Sequence, residues 1–267
     1  ILIILPFKED KLYGTVKRFT DLKRGLLTVC FLAENVLTHK SQHLSGLALK
    51  FNLKLGGINY TLPAELFNSL YLEDGNPDAL ILGADVYHPP PDDHNPGLPS
   101  AAAVVGSFDN KFMNYLPSLR LQAGNQEMNL KEMVVERLRK FGIANPTNLL
   151  PFKILMYRDG VGDNQFQTLR ETEIPTIYKA FETAKKNWIT HRSETRGTLE
   201  NKELHNGNDR IARNVTPGTV IDTALTHPDR NSFYLQAHAA SQGTVRSIYC
   251  HIIHNTASLT LVRPSNP

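Results

Sequence analysis

Apolar positions in the first quarter of the chain alternate between short continuous runs and stretches with helical spacing. A short run bounded by turn residues is typical of a buried strand, and spacing of three and four residues is typical of a helix. The pattern predicts strand, helix, strand and helix over residues 1–5, 10–24, 26–32 and 41–54. Gly56 and Gly57 are suited to ending the second helix. This alternation is typical of an open α/β sheet, and the turn-rich residues 61–78 predict a linker after it.

Beyond this linker the order of elements changes. Three strands in succession, a helix, a strand and a helix are predicted over residues 80–86, 101–108, 115–122, 127–141, 152–158 and 165–186. Gly142 is suited to ending the first of these helices, and Pro175 should kink or split the second. Three antiparallel strands followed by helix, strand and helix form the order expected of a ribonuclease H-like core. A polar loop over residues 192–214 and three strands, over 218–223, 233–238 and 245–254, complete the prediction.

Composition narrows the functional class only modestly. The 267 residues allow one large domain or two smaller ones, and a net charge of +3 makes the clustering of charge more informative than its total. Cys30 and Cys250 form no Cys-x-x-Cys pattern, which argues against a disulfide framework or zinc site and favours a reducing compartment. The opening apolar run is too short to span a membrane. Because the chain starts inside that run without an initiator methionine, we expect a fragment of a longer protein.

Two aspartates stand where predicted buried strands end and loops begin. Asp85 follows the run from Ala79, and Asp159 follows the run from Phe152. A carboxylate at the end of a buried strand is costly unless a positive charge neutralises it. Two such carboxylates on neighbouring strands could hold a divalent metal, as in metal-assisted phosphoryl transfer. The alternative is that each aspartate caps a turn or a helix.

Several motifs, in a fixed order, resemble those of eukaryotic Argonaute proteins. The segments around Asp85 and Asp159, Gly218–Thr223 and Phe233–Thr244 resemble the Piwi domain. Upstream, Tyr13–Arg18 and Leu49–Gly57 resemble the guide-anchoring, C-terminal part of a Mid domain. The resemblance implies an α/β chain with part of an open α/β Mid domain over residues 1–60, the linker over 61–78, and a ribonuclease H-like Piwi domain over 79–267.

The resemblance implies a catalytic role for Asp85, Glu127 and Asp159, with Asp85 and Asp159 binding Mg²⁺, or Mn²⁺ in its place. Gly124 and Asn125 would give the Glu127 loop the freedom to swing into the site. The alternative is that Glu127 lies in the first turn of the following helix, where a negative charge suits the dipole. A fourth ligand, which the family usually supplies near its C-terminus, is not identifiable in this sequence.

The resemblance also implies two RNA-binding regions. Four residues match the pocket for the 5′-phosphate of a guide RNA, with lysines for the phosphate and an aromatic ring for the first base: Tyr13, Lys17, Lys50 and Lys54. The alternative is a solvated basic helix face. Val29 precedes Cys30 where the family often has Gln, so one polar contact to the phosphate is absent. Candidates for holding the guide backbone are Arg192, Arg196, His238 and Arg246.

The function implied by the family is guide-directed, Mg²⁺-dependent endonucleolytic cleavage of complementary target RNA in RNA silencing. The alternative is a guide-binding silencing module without cleavage. An unguided ribonuclease H-like nuclease is a third interpretation, and the Mid-type phosphate pocket argues against it. The expected partners are a small guide RNA, a target RNA and silencing-complex proteins, without a membrane. The expected location is the cytoplasm, with the nucleus as an alternative.

Overall fold

A computed structural model of the chain describes residues 1–38, 41–61, 70–71, 75, 77–89, 98–122, 129–190, 219–221, 226, 232–238 and 246–256. These residues belong to two compact units, the first containing residues 1–61 and the second containing the described residues from Leu70 onward. No helix within these ranges is long and apolar enough to cross a membrane.

The first unit is built around two parallel strands joined by a helical crossover. Strands β1 and β2 pair with Leu2 opposite Val29, as expected of an open α/β sheet. Helix α1 continues directly into a seven-residue π-helical segment that ends at Gly25, where φ is 62°. The elements in chain order are β1 (Leu2–Leu5), α1 (Asp10–Lys17), the π-helical segment (Arg18–Arg24), β2 (Val29–Leu32), α2 (Ala33–Leu37) and α3 (Ser41–Lys54).

The second unit contains a four-stranded mixed sheet in the order β5-β4-β3-β6. Strands β3, β4 and β5 are antiparallel neighbours, and β6 is parallel to β3. This arrangement agrees with the ribonuclease H-like core that the order of elements predicts. The strands and the two long helices are β3 (Ala79–Tyr87), β4 (Ser100–Ser107), β5 (Tyr115–Gln122), α4 (Leu130–Ala144), β6 (Lys153–Arg158) and α5 (Phe166–Thr190).

One face of this sheet packs against helices α4 and α5. Side chains of β3 and β4 on this face form a continuous core with the apolar face of α4: Leu80, Leu82, Ala84, Ala102, Val104, Met133, Val134, Leu138 and Phe141. Because successive strand residues point to opposite faces, burying Ala84 directs Asp85 to the other face, where it is exposed. The hydrophobic alternation therefore decides on which side of the sheet Asp85 lies.

The structure corrects the expected end of one helix and excludes one of the two outcomes expected at Pro175, a split. Helix α4 does not end at Gly142, which is buried within it, and continues to Ala144. The helix ends where the backbone N–H and side-chain Nδ2 of Asn145 both donate to the carbonyl of Phe141, each at 2.9 Å. Helix α5 is not split at Pro175. Ala180 and Ala184 beyond the proline are buried in the shared core, which stabilises the helix despite the missing N–H donor.

A small antiparallel sheet completes the second unit. Strands β7 (Val220–Ile221) and β9 (Ile248–His251) lie within segments predicted as strands, and β8 (Ser232–Leu235) begins one residue before the predicted segment 233–238. The imidazole ring of His251 stacks on the ring of Phe166 with centroids 4.6 Å apart. The small sheet is thereby joined to the first turn of α5.

Candidate functional site

Asp85 and Asp159 lie side by side on neighbouring parallel strands. Asp159 directly follows β6, as its sequence context predicts. Asp85 does not open a loop, because β3 continues to Tyr87 and Asp85 is still paired with Ala103 of β4. Ala84 of β3 is in register with Arg158 of β6, so each aspartate is the next residue along its chain. The backbone N–H of Asp159 donates to the carbonyl of Ala84 at 3.0 Å, which extends the pairing by one bond. Both aspartates are exposed. The structure therefore brings together two carboxylates that are more than seventy positions apart in sequence.

Backbone N–H groups orient both carboxylates. Asp85 Oδ1 accepts from the N–H of Val86 at 2.8 Å, and Asp159 Oδ1 accepts from the N–H of Gly160 at 2.7 Å. Gly160 has a φ of 73°, and a Cβ placed on it would lie 3.2 Å from Asp85 Oδ1. The backbone that follows Asp159 thus runs directly against the carboxylate of Asp85. A residue without a side chain, able to adopt a positive φ, is what this close approach requires.

An ion pair between Arg158 and Glu173 connects the end of β6 to helix α5. Arg158 Nε donates to both carboxylate oxygens of Glu173 on α5, at 3.2 Å each. Its Nη1 donates to the carbonyl oxygen of Asp159. The guanidinium group therefore connects helix α5 to the backbone of a candidate catalytic residue. Sequence reasoning missed Glu173, because a pairing between a strand and the following helix has no local signature.

The donor chemistry of the aspartate pair fits Mg²⁺, which prefers hard oxygen ligands and retains several waters. Within the described ranges, no group of three or more His, Cys, Asp or Glu side chains is placed to hold a metal ion. Glu127, the predicted third member, lies outside these ranges. The pair thus offers two carboxylate ligands from the part of the site that the structure describes.

In the first unit, two of the four predicted phosphate-binding residues converge on one backbone oxygen. Lys17 Nζ donates to the carbonyl oxygen of Thr28 at 2.8 Å, and Lys54 Nζ donates to the same oxygen. Lys17 Nζ also donates to Thr28 Oγ1 at 2.9 Å and to Asp21 Oδ2 at 3.2 Å. We call Lys17, Asp21, Thr28 and Lys54 the lysine cluster. It combines the end of α1, the π-helical segment, the residue before β2 and the end of α3.

The proximity of two ammonium groups perturbs the titration of the cluster. Partial burial and the neighbouring Lys17 ammonium lower the pKa of Lys54 below its ordinary value. Loss of solvation opposes ionisation of Asp21, but hydrogen bonds from Lys17, Thr20 and Thr28 outweigh it and lower the pKa of this carboxyl. The cluster at neutral pH therefore contains one carboxylate and two crowded cationic side chains, an arrangement that favours a further anion.

Tyr13 and Lys50 occupy exposed positions one helical turn before the two clustered lysines. Tyr13 lies four residues before Lys17 on α1 and has 47% of its surface exposed, and Lys50 lies four residues before Lys54 on α3. Residues four apart share a helix face, so each pair faces the same side of its helix. The four residues that match the phosphate pocket in sequence thus lie on two helices, α1 and α3. Each helix contributes one lysine that reaches the carbonyl oxygen of Thr28.

The structure describes two of the four residues predicted to bind the guide backbone. Arg192 and Arg196 lie outside the described residues. His238 and Arg246 are both exposed, one after β8 and the other before β9. The carbonyl of His238 accepts a bond from Gln236 Nε2 at 2.8 Å. The described contacts thus fix the backbone at His238 and leave its ring open to solvent.

Comparison with known proteins places this geometry in a family. A family model described as the Piwi domain matches residues 1–261. Among solved structures, the chain is similar to Kluyveromyces polysporus Argonaute, crystallised with a guide RNA, at 29% identity and a TM-score of 0.77 over 96% of this chain and 32% of that one. It is similar to the C-terminal lobe of a budding yeast Argonaute at 28% identity and a TM-score of 0.80, over 97% of this chain and 55% of that one.

The Mid-Piwi domains of N. crassa QDE-2 are a further similar structure, with 29% identity and a TM-score of 0.57 over 68% of this chain and 50% of that one. The chain thus spans about a third to about a half of the length of these three solved chains. Because the family model covers nearly the entire sequence, this chain belongs to the Piwi domain family of Argonaute proteins, as its motifs predicted.

Proposed function

We propose that this chain binds the 5′-phosphate of a guide RNA through Lys17, Lys50, Lys54 and Tyr13. The observation that carries the proposal is the convergence of the Lys17 and Lys54 ammonium groups on the carbonyl oxygen of Thr28. Two cations held at one oxygen repel each other, and an anion with close to two charges and several acceptor oxygens relieves that repulsion. The exposed ring of Tyr13 is suited to stacking on the first base. The related K. polysporus protein was crystallised with a guide RNA.

We further propose that the chain cleaves target RNA paired to the guide. Asp85 and Asp159 would hold Mg²⁺, or Mn²⁺ in its place, and Glu127 would complete the ligand set. A bound divalent ion supplies a more acidic water and neutralises charge on the scissile phosphate. The contribution of the chain itself is the fixed placement of Asp85 and Asp159 by β3, β6 and their backbone donors. The expected products carry a 5′-phosphate and a 3′-hydroxyl.

A guide-binding module without cleavage is the second candidate function. It is favoured because the fourth ligand, which the family usually supplies, is not identifiable in this sequence. An unguided ribonuclease H-like nuclease has no use for the lysine cluster, which argues against that interpretation. In either candidate function, target sequence would be selected by pairing with the guide, and the protein would read helix shape and phosphates.

The remaining contacts and partners follow from the same proposal. Arg192, Arg196, His238 and Arg246 would bind phosphates of the guide backbone without reading bases. Target RNA and silencing-complex proteins would be the further partners, in the cytoplasm or the nucleus.

The test measures guide binding and target cleavage separately in the full chain. With a 5′-phosphorylated guide, a complementary labelled target and Mg²⁺, we expect a single cut in the wild type. Asp85→Asn and Asp159→Asn should abolish the cut and leave guide affinity unchanged, because both residues belong to the second unit and the lysine cluster belongs to the first. Glu182→Gln, at an exposed position of α5, is the matched control for loss of one carboxylate. Binding without any Mg²⁺-dependent cut in the wild type would establish the second candidate function.

A further inference from the structure

We infer that Asp21 is a positioning residue for the guide phosphate, which holds the Lys17 ammonium group in place until a phosphate oxygen replaces the carboxylate. This inference rests on the proposed function of the lysine cluster. Asp21 matches none of the phosphate-binding positions that the sequence predicts, and it enters the cluster only through the fold.

Every N–H donor of Lys17 is used in the structure. An ammonium group has three donors, and those of Lys17 bond to Asp21 Oδ2, the Thr28 carbonyl and Thr28 Oγ1. Lys17 therefore cannot donate to a phosphate without exchanging one of these bonds. The bond to Asp21 is the longest of the three, at 3.2 Å, and Asp21 has 42% of its side chain exposed, whereas Thr28 is fully buried. The exchange is thus easiest at Asp21.

Threonine hydroxyls hold the carboxylate of Asp21 on the side away from Lys17. Asp21 Oδ1 accepts from the Thr28 hydroxyl at 3.1 Å and lies 3.1 Å from the Thr20 hydroxyl, whose one proton is also within reach of the Val16 carbonyl oxygen at 2.9 Å. The carboxylate therefore presents Oδ2 to Lys17 in one orientation. Ordering a long lysine side chain costs side-chain entropy. With Asp21 in place, that cost is met before the guide arrives, so the phosphate meets an ordered ammonium group.

The π-helical segment explains how Asp21 reaches this position. Residues Arg18–Arg24 continue α1 with the wider π-helical turn and end at Gly25 in the left-handed region. The segment places Thr20 and Asp21 against Thr28, which lies eight residues after Thr20 and seven after Asp21. Short π-helical segments are rare and are frequently found at functional sites. The irregular turn thus brings the buried hydroxyls of Thr20 and Thr28 to the carboxylate of Asp21.

The experiment compares the affinities of the full chain for one RNA bearing either a 5′-phosphate or a 5′-hydroxyl. The ratio of the two affinities reports on the terminal phosphate alone. We expect Asp21→Ala to lower this ratio about tenfold, on the scale of ordering one lysine side chain. Asp21→Asn should restore most of it, because its Oδ1 still accepts from Lys17 while its Nδ2 donates to a threonine hydroxyl. Asp10→Ala, in the exposed first turn of α1, is the control for loss of a nearby carboxylate.

The outcomes distinguish a positioning role of Asp21 from a purely electrostatic or a purely structural role. They also distinguish failure of this inference from failure of the proposed phosphate pocket. A purely electrostatic Asp21 would raise the ratio equally in the Ala and Asn variants, and a purely structural one would weaken both RNAs alike. Either result, or an unchanged ratio in Asp21→Ala, overturns the inference while the phosphate pocket stands. A wild type that does not distinguish the two RNAs overturns the proposed pocket and this inference together. If Asp21→Ala does not fold, Asp21→Ser gives the same comparison, since its hydroxyl is too short to reach Lys17.

Discussion

Replacing Gly160 with alanine should damage the candidate catalytic site more than it damages the fold. Two effects combine at this position. An alanine at a φ of 73° meets the left-handed penalty of about 1–2 kcal/mol for a residue with a Cβ. Its Cβ would also lie 3.2 Å from Asp85 Oδ1, so the carboxylate must move by a few tenths of an ångström. We expect a loss of about 1–2 kcal/mol in the free energy of unfolding from the backbone term.

We expect Gly160→Ala to lose more cleavage activity than its loss of stability alone would cause. Asp85 is exposed and anchored by one bond from Val86, so its carboxylate can turn away from Asp159 at little cost. A misplacement of about 1 Å in a reacting geometry can lower a rate by about a hundredfold. Gly75→Ala is the matched control, since Gly75 has a φ of 78° in the same unit and no atom of the described residues lies within 4 Å of a Cβ placed on it.

The assay combines urea unfolding with single-turnover cleavage of a guide-paired target in Mg²⁺. We expect Gly160→Ala and Gly75→Ala to be destabilised alike and only Gly160→Ala to lose cleavage. Equal cleavage by the two variants, at temperatures where both are folded, would refute the placement of Asp85 against this loop. Guide affinity should be unchanged in both.

Two ion pairs of the second unit give further predictions. Hydrogen bonds from Ser118 and Arg120 lower the pKa of Glu136 below its ordinary value of 4.5, although partial burial opposes them. A lowered folded-state pKa stabilises the protein above the ordinary value, so the stability difference between wild type and Glu136→Gln should shrink as pH falls from 6 to about 3, measured by urea unfolding. Lys153 Nζ lies 2.6 Å from Asp78 Oδ2, and the Asp78 side chain is 6% exposed. Lys153→Met should therefore cost about 2 kcal/mol in the free energy of unfolding, discounted because the lysine remains partly exposed, and an unchanged urea midpoint would contradict this pairing.

Local pattern was sufficient to predict the elements and their order. Alternation and helical spacing are properties of neighbouring residues, so the four strands of the mixed sheet and its two helices could be located from sequence. The same pattern placed Asp159 at the end of its strand and Asp85 close to the end of β3, and parallel pairing of the two strands was enough to bring them together. Helix α4 passed through Gly142 and α5 through Pro175 because core packing outweighed local preference, which no single residue reveals.

The lysine cluster shows what the sequence could not determine. The spacing of Lys50 and Lys54 predicted a shared helix face, but it did not predict that Lys54 reaches Thr28 while Lys50 remains exposed. Asp21 lies four residues after Lys17, an ordinary helical pairing, yet its bonds to Thr20 and Thr28 depend on the π-helical segment. Sequence thus determined which chemical groups this protein has and which element carries each. Tertiary packing alone decided which of them meet, because contacts between distant residues depend on how whole elements bury their apolar faces.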